Sequence, residues 1–160
     1  MESKKNRERK WKRKGRNSSL KAADATHKNQ VLLPEKMYEE MMRNGRRLLP
    51  NEACGLISGR FNKCMTFWPM VNIEPSPFSF AMDVNEQDQV EKKMKQKNQR
   101  FMGIFHTHPF GQAVPSKDDI RSSFYPDVYY FIAAISKRSE ELRCYKIKNG
   151  AVLPVEIVYY

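Results

Sequence analysis

The 160-residue sequence holds only three cysteines, Cys54, Cys64 and Cys144, widely separated and with no Cys-x-x-Cys pair. So sparse and odd a count argues against a disulfide framework and suits a reducing cytoplasm. The three read as small buried hydrophobes; a Cys54–Cys64 bridge would require their strands to be neighbours. Long apolar runs are also missing. The longest, Val128–Ile135, has eight residues, too short to cross a bilayer. The basic start is followed by no apolar stretch, so it lacks the pattern of a secretory signal and a cytoplasmic location is expected. There is no internal repeat. Histidine is scarce too, with three in the chain, and two of these stand one residue apart.

Basic charge is plentiful but uneven. The net charge is +11, and residues 1–30 contribute eleven Lys or Arg against three Asp or Glu, a net of +8, which leaves +3 for residues 31–160. Those first thirty residues carry almost no large apolar side chains. They cannot bury enough surface to offset the entropy of ordering, so residues 1–30 are expected to be a disordered basic tail. Such an arm can hold nucleic acid or an anionic surface, with Trp11 placed to stack; His27 lies in it and is no expected ligand. Residues 31–160 are expected to form one domain. Hydrophobic residues make up 40% of the whole chain, enough for a core.

The informative stretch is Phe101–Asp119, FMGIFHTHPFGQAVPSKDD. Its apolar start reads as a buried strand. Side chains on a strand alternate faces, so His106 and His108 project to one side and Thr107 to the other, with the two histidine Cα atoms roughly 6.5–7 Å apart. Pro109 stops the strand. After a loop, Ser116 has the character of a helix N-cap, with an acidic residue three positions on. Two same-face histidines and a carboxylate at a helix start suit zinc with one position left for water.

The remaining chain alternates short strands with a few helices. Val31–Leu33 is a strand candidate, Pro34 suits a first helical turn, and Met37, Tyr38, Met41, Met42 and Gly45 recur at helical spacing over Glu35–Arg47. Strands are expected at Ala53–Ser58, Cys64–Val71 and Phe78–Met82, with a rigid loop at Glu74–Pro77 between the last two. Asp83 and Glu86 resemble a capping box opening a helix to about Asn98, and a second helix should run from Ser116 to about Phe124. Val128–Ile135 is too continuous for an exposed strand and belongs in the sheet centre. Leu142–Ile147 and Ala151–Val158 are joined by Asn149-Gly150, a hairpin signal, and Pro154 marks the last strand as an edge or bulge. This order gives a mixed α/β domain of the α+β type, with a largely antiparallel sheet flanked by helices.

The string His106-x-His108-Pro109, a short loop, then Ser116-x-x-Asp119 resembles the JAMM (MPN+, Mov34/PAD-1-like) zinc metalloprotease motif. The segment Pro50–Gly59 looks like that family's upstream Glu-containing stretch, which makes Glu52 the candidate glutamate. The resemblance covers roughly Val31–Tyr160. It implies a curved sheet with a helix on each side, of cytidine-deaminase-like architecture, and the zinc site at one sheet end. It implies that His106, His108 and Asp119 hold Zn2+, that Glu52 shuttles a proton, and that Ser116 donates to an oxyanion, with Asp118 left at the surface. The compact chain is similar to bacterial and archaeal members. These imply hydrolysis of a peptide or isopeptide bond after the C-terminal glycine of a ubiquitin-like or sulfur-carrier protein, whose extended tail docks as an added strand. Two other readings stand beside it. One is a non-catalytic MPN-type module working through the basic tail. The other is a zinc amidase for a small molecule; a deaminase would need Cys ligands and a His-x-Glu that the chain lacks.

Overall fold

The computed structural model describes residues 29–160, so the expectations for the tail, Trp11 and His27 included, fall outside the described residues up to Lys28. The elements are β1 (Gln30–Leu33), α1 (Glu35–Leu48), β2 (Cys54–Arg60), β3 (Lys63–Met70), α2 (Val84–Gln96), β4 (Arg100–His108), α3 (Lys117–Arg121), β5 (Tyr129–Ile135), β6 (Glu140–Lys148) and β7 (Ala151–Tyr159). The strands run in the order β1-β3-β2-β4-β5-β6-β7, and β7 returns to β1, closing the sheet into a barrel. Four pairings are antiparallel; β4–β5, β1–β7 and a single β1–β3 pair at Leu32 and Lys63 are parallel. The α+β class with a mostly antiparallel curved sheet is therefore observed, and closure is an addition to it.

Period-two alternation divides the apolar side chains between two cores. Met41, Ile57, Phe105 and Phe131 pack beneath α1. Leu56, Ile104 and Ile132 face Val90 and Met94 of α2 on the other side. The methionine stripe of α1 is core, as its spacing predicts: Met37, Met41 and Met42 are buried. Gly45 lets α1 sit close to the sheet, since a Cβ there would collide with Ile135 and stand 2.9 Å from Thr107 Cγ2.

Several boundaries differ from expectation. Phe78–Met82 is loop, tied to Asn72 by one isolated bridge at Met82. Pro75 and Pro77 lack the N–H groups a ladder needs, and the Asn72 side chain takes up backbone groups in its place. The helix from Ser116 ends at Arg121, because none of its residues is buried and no apolar face carries it further. Helix α2 stops at Gln96; Asn98 is already in the left-handed region, with φ 52°. Asn149 and Gly150 both have positive φ, 51° and 77°, the backbone of a tight hairpin. Pro154 lies in the half of β7 that pairs with β6 alone, ahead of the stretch beside β1, so it sits on a locally open edge. β2 and β3 are neighbours, yet Cys54 lies opposite Met70 and Cys64 opposite Gly59, and all three thiols are free. Among the described residues no helix is long and apolar enough to cross a membrane.

Candidate metal centre

The C-terminal end of β4 is held from both sides. Cys54 of β2 lies opposite His106, and β5 sets Ile132 and Ala134 beside His106 and His108. A strand paired on both flanks cannot rotate, so alternation fixes both imidazoles on one face. Thr107 points the other way, as expected, and its Oγ1 accepts from Ala53 N at 2.8 Å. His106 is buried and stacks on Phe80, ring centroids 4.8 Å apart. His108 Nδ1 lies 2.7 Å from Gln112 O, an acceptor only, so this nitrogen carries the proton and Nε2 turns to the site.

Asp119 arrives from the start of α3. Ser116 Oγ accepts from Asp119 N at 3.1 Å, while Ser116 N donates to Asp119 Oδ2 at 2.8 Å, a reciprocal capping box. The intervening loop is pinned where Tyr145 Oη donates to Ala113 O at 2.5 Å. Oδ2 then stands 3.1 Å from His108 Nε2 and 3.2 Å from His106 Nε2. The two Nε2 atoms are 3.1 Å apart. Asp118 is at the surface beside Arg121, at 3.6 Å.

This near-equilateral triangle fits a small cation. Donors about 2.0–2.1 Å from a tetrahedral zinc stand roughly 3.3 Å apart. The chemistry fits as well: two imidazole nitrogens facing each other repel unless a proton or a metal lies between them, and the third corner is anionic. The local electrostatics agree. Burial alone would raise the Asp119 carboxyl, but hydrogen bonds from His106 and His108 outweigh it and hold the group well below the usual carboxylate range. Burial would lower His108, but the Asp119 and Gln112 hydrogen bonds and the Asp119 and Glu52 charges raise it. The pocket is built to hold positive charge. His106, His108 and Asp119 are the one such group among the described residues with ligand atoms all within 4.8 Å of one another.

Glu52 is not a corner of the triangle. The β2–β4 register, extended two residues past Cys54, sets it opposite His108. It is 5% exposed. Burial pushes its carboxyl up to about 8; the His108 charge lowers it and the Asp119 charge raises it. Its backbone is tied to the following loop: Glu52 N donates to Ser76 O at 2.8 Å, and Asn72 Nδ2 donates to Glu52 O at 3.0 Å. The same Asn72 donates to Ser79 O and accepts from Glu74 N and Ala81 N. All five site residues expected from the sequence therefore meet at one end of the sheet. Sequence reasoning missed Asn72, Phe80, Gln112 and Tyr145. For Asn72 a signal existed: an asparagine at a strand end, two residues before Glu74, is the pattern of an Asx turn.

Comparison with known proteins gives the family. Residues 34–148 match the family described as prokaryotic homologs of the JAB domain. The chain is 33% identical over 127 residues to the CysO-cysteine peptidase of Mycobacterium tuberculosis strain H37Rv, covering 76% of this chain and 87% of that one. It is 29% identical over 94 residues to the probable TtuB-protein conjugate cleaving protease of Thermus thermophilus, 58% of this chain and 63% of that one. Among solved structures, protein DSY2949 of Desulfitobacterium hafniense superposes with TM-score 0.74 at 34% identity, covering 82% of this chain and 92% of that one. AF2198, a JAB1/MPN domain protein of Archaeoglobus fulgidus, shares the fold at TM-score 0.55 and 17% identity, over 82% of this chain and 99% of that one. The chain belongs to the prokaryotic JAB-domain family and is a JAMM-type peptidase.

Proposed function

We propose that this chain is a zinc-dependent hydrolase that cuts the peptide or isopeptide bond after the C-terminal glycine of a ubiquitin-like or sulfur-carrier protein. The observation that carries the reading is the triangle of His106, His108 and Asp119 with a buried carboxyl, Glu52, beside it. His106 Nε2, His108 Nε2 and Asp119 Oδ2 are the proposed ligands. A zinc ion bound there supplies Lewis acidity, which acidifies water and polarises an amide carbonyl. Glu52 takes a proton from the attacking water and returns it to the amine as the C–N bond breaks. A carboxyl buried beside the triangle, with no bulk water around it to take the proton away, suits both halves of that exchange. Ser116 uses an oxygen lone pair to cap α3, so its O–H stays available to donate to the oxyanion; capping and catalysis do not compete.

The carrier class follows from what the named relatives act on, a CysO-cysteine linkage and TtuB-protein conjugates. The expected strand addition needs one change. β4 is paired on both flanks, so an extended tail cannot add to the strand bearing the histidines; the segments outside the ladder near the site are residues 71–82 and 109–115. A non-catalytic module gives no reason to bury Glu52 beside the triangle, and that observation favours the enzyme. Three free, buried thiols accord with a reducing cytoplasm. The test is incubation of the zinc-loaded protein with carrier fusions and with small amides, read by mass spectrometry. Release after the carrier's terminal glycine, lost with chelator and restored by zinc, is expected. Cleavage of small amides alone, or none with zinc bound, rejects the proposal.

A further inference from the structure

Ten large apolar side chains are exposed among the described residues, and five of them, Val71, Ile73, Phe78, Phe110 and Val114, lie on the two segments that flank the metal centre. Residues 71–82 and 109–115 carry a single charged side chain, Glu74, although 29% of the whole chain is charged. Isolated apolar side chains at a surface need no explanation; five around one centre, on loops nearly without charge, do. Such a surface is where another molecule packs, because charged residues are depleted at the core of an interface.

Phe78 and Phe110 are the extreme case, 76% and 70% exposed. Their ring centroids are 5.9 Å apart with the planes tilted by 35°, so the two loops meet through them. Each ring is tethered close to the site. Phe110 follows His108 by two residues, which keeps its Cα within ~7 Å of that of His108, and a Cβ on Gly111 beside it would stand 3.7 Å from His108 Cβ. Phe78 lies between Ser76, whose carbonyl accepts from Glu52 N, and Phe80, whose ring stacks on His106. The imidazole side chains are only 3% and 11% exposed, so the pair of rings stands at the solvent rim of the centre.

We propose that Phe78 and Phe110 select the carrier, taking an apolar side chain from the extended segment that precedes its terminal glycine. This rests on the function proposed above. In that reading the carrier is the constant part of the substrate and the amine the variable part, as the cysteine and protein conjugates of the named relatives illustrate. A fixed apolar contact is useful only on the constant side. The glycine at the cleaved bond has no side chain to recognise, so recognition falls to the residues before it. An extended segment rises ~3.4 Å per residue, which brings the first few positions ahead of the glycine within reach of the rings. The two phenylalanines position the segment and take no part in the chemistry.

The test reads binding, so it does not depend on turnover. The full chain, loaded with zinc, is titrated into fluorescein-labelled peptides and followed by anisotropy. One peptide is Ala-Leu-Ala-Leu-Gly-Gly, the second has serine in place of both leucines, and the third, Leu-Ala-Leu-Ala amide, stands for the amine side. The leucine peptide ending in glycine should bind saturably and ~tenfold or more tighter than its serine counterpart, about what burying one aliphatic side chain gives. That advantage should disappear in Phe78→Ala/Phe110→Ala and persist in Phe78→Tyr/Phe110→Tyr, which keeps the ring faces. This pattern without cleavage of any amide would sink the peptidase reading and leave the recognition surface standing; cleavage after glycine with no leucine advantage would do the opposite. No saturable binding of the leucine peptide, an advantage that survives the double alanine variant or is lost in the tyrosine one, or tighter binding of the amine-side peptide overturns the proposal.

Discussion

Two loops reach the imidazole pair from different parts of the chain, and they are secured by opposite means. Residues 109–116 are short and held at fixed points: Gln112 O on His108, Ala113 O on Tyr145, and the capping box of Ser116 and Asp119. Residues 71–83 are longer and are gathered around one side chain, Asn72, which makes four hydrogen bonds to main chain, one of them to Glu52, alongside the bond from Glu52 N to Ser76 O and the stack of Phe80 on His106. In the reading above, the first loop delivers a ligand and the second places the proton carrier. Capture of the ion and turnover of substrate should then be separable by mutation.

The sharpest break is Asp119→Ala. It should leave the fold intact, bring bound zinc measured by elemental analysis close to zero, and reduce cleavage to background; full zinc content would remove Asp119 from the ligand set. Glu52→Gln should do the reverse, keeping zinc while kcat falls ~10²–10⁴-fold, the usual contribution of a general acid–base group. Undiminished turnover would take Glu52 out of the chemistry. Asn72→Ala tests whether the longer loop depends on one anchor. Stability should fall by about 1–3 kcal/mol for the main-chain groups left unmatched, and kcat by ~10–10²-fold for the misplaced carboxyl, with zinc content unchanged. Tyr145→Phe probes the other loop more gently: about 1 kcal/mol of stability and ~tenfold in zinc affinity, with kcat at saturating zinc preserved.

A further effect concerns pH. Burial raises the Glu52 carboxyl from 4.5 to about 8 in the folded chain. A raised value favours the protonated form, so its stabilising contribution is complete below 4.5 and is lost as pH climbs through 8. Metal-free wild type should therefore lose melting temperature relative to metal-free Glu52→Gln over that window, with the gap level above it. A difference independent of pH would show that Glu52 is solvated.

This contrast also shows what the sequence made legible. Residues 109–119 carry their information locally: a strand, a proline stop and a capping serine with its partner three residues on, each readable from neighbours in the chain. Glu52 is fifty-four residues from His106, and only resemblance to a family suggested it; the register that sets it opposite His108 is a tertiary fact. Phe80 was read as part of a strand after the proline loop, but its segment meets no neighbouring strand and keeps only the isolated bridge at Met82, a tertiary outcome that its own residues do not encode. Closure of the sheet depends on β1 meeting β7 across the whole domain, which no local pattern encodes.

Helix α3 has five residues and none of them is buried, yet one oxygen of its first turn faces both imidazoles. So short a segment frays far more often than the domain unfolds. Each fraying event would carry away one arm of the chelate while the barrel stays whole. The residence time of zinc would then be set by the opening rate of a single helical turn, and a glycine at Lys117 should hasten exchange with a chelator without shifting the melting point.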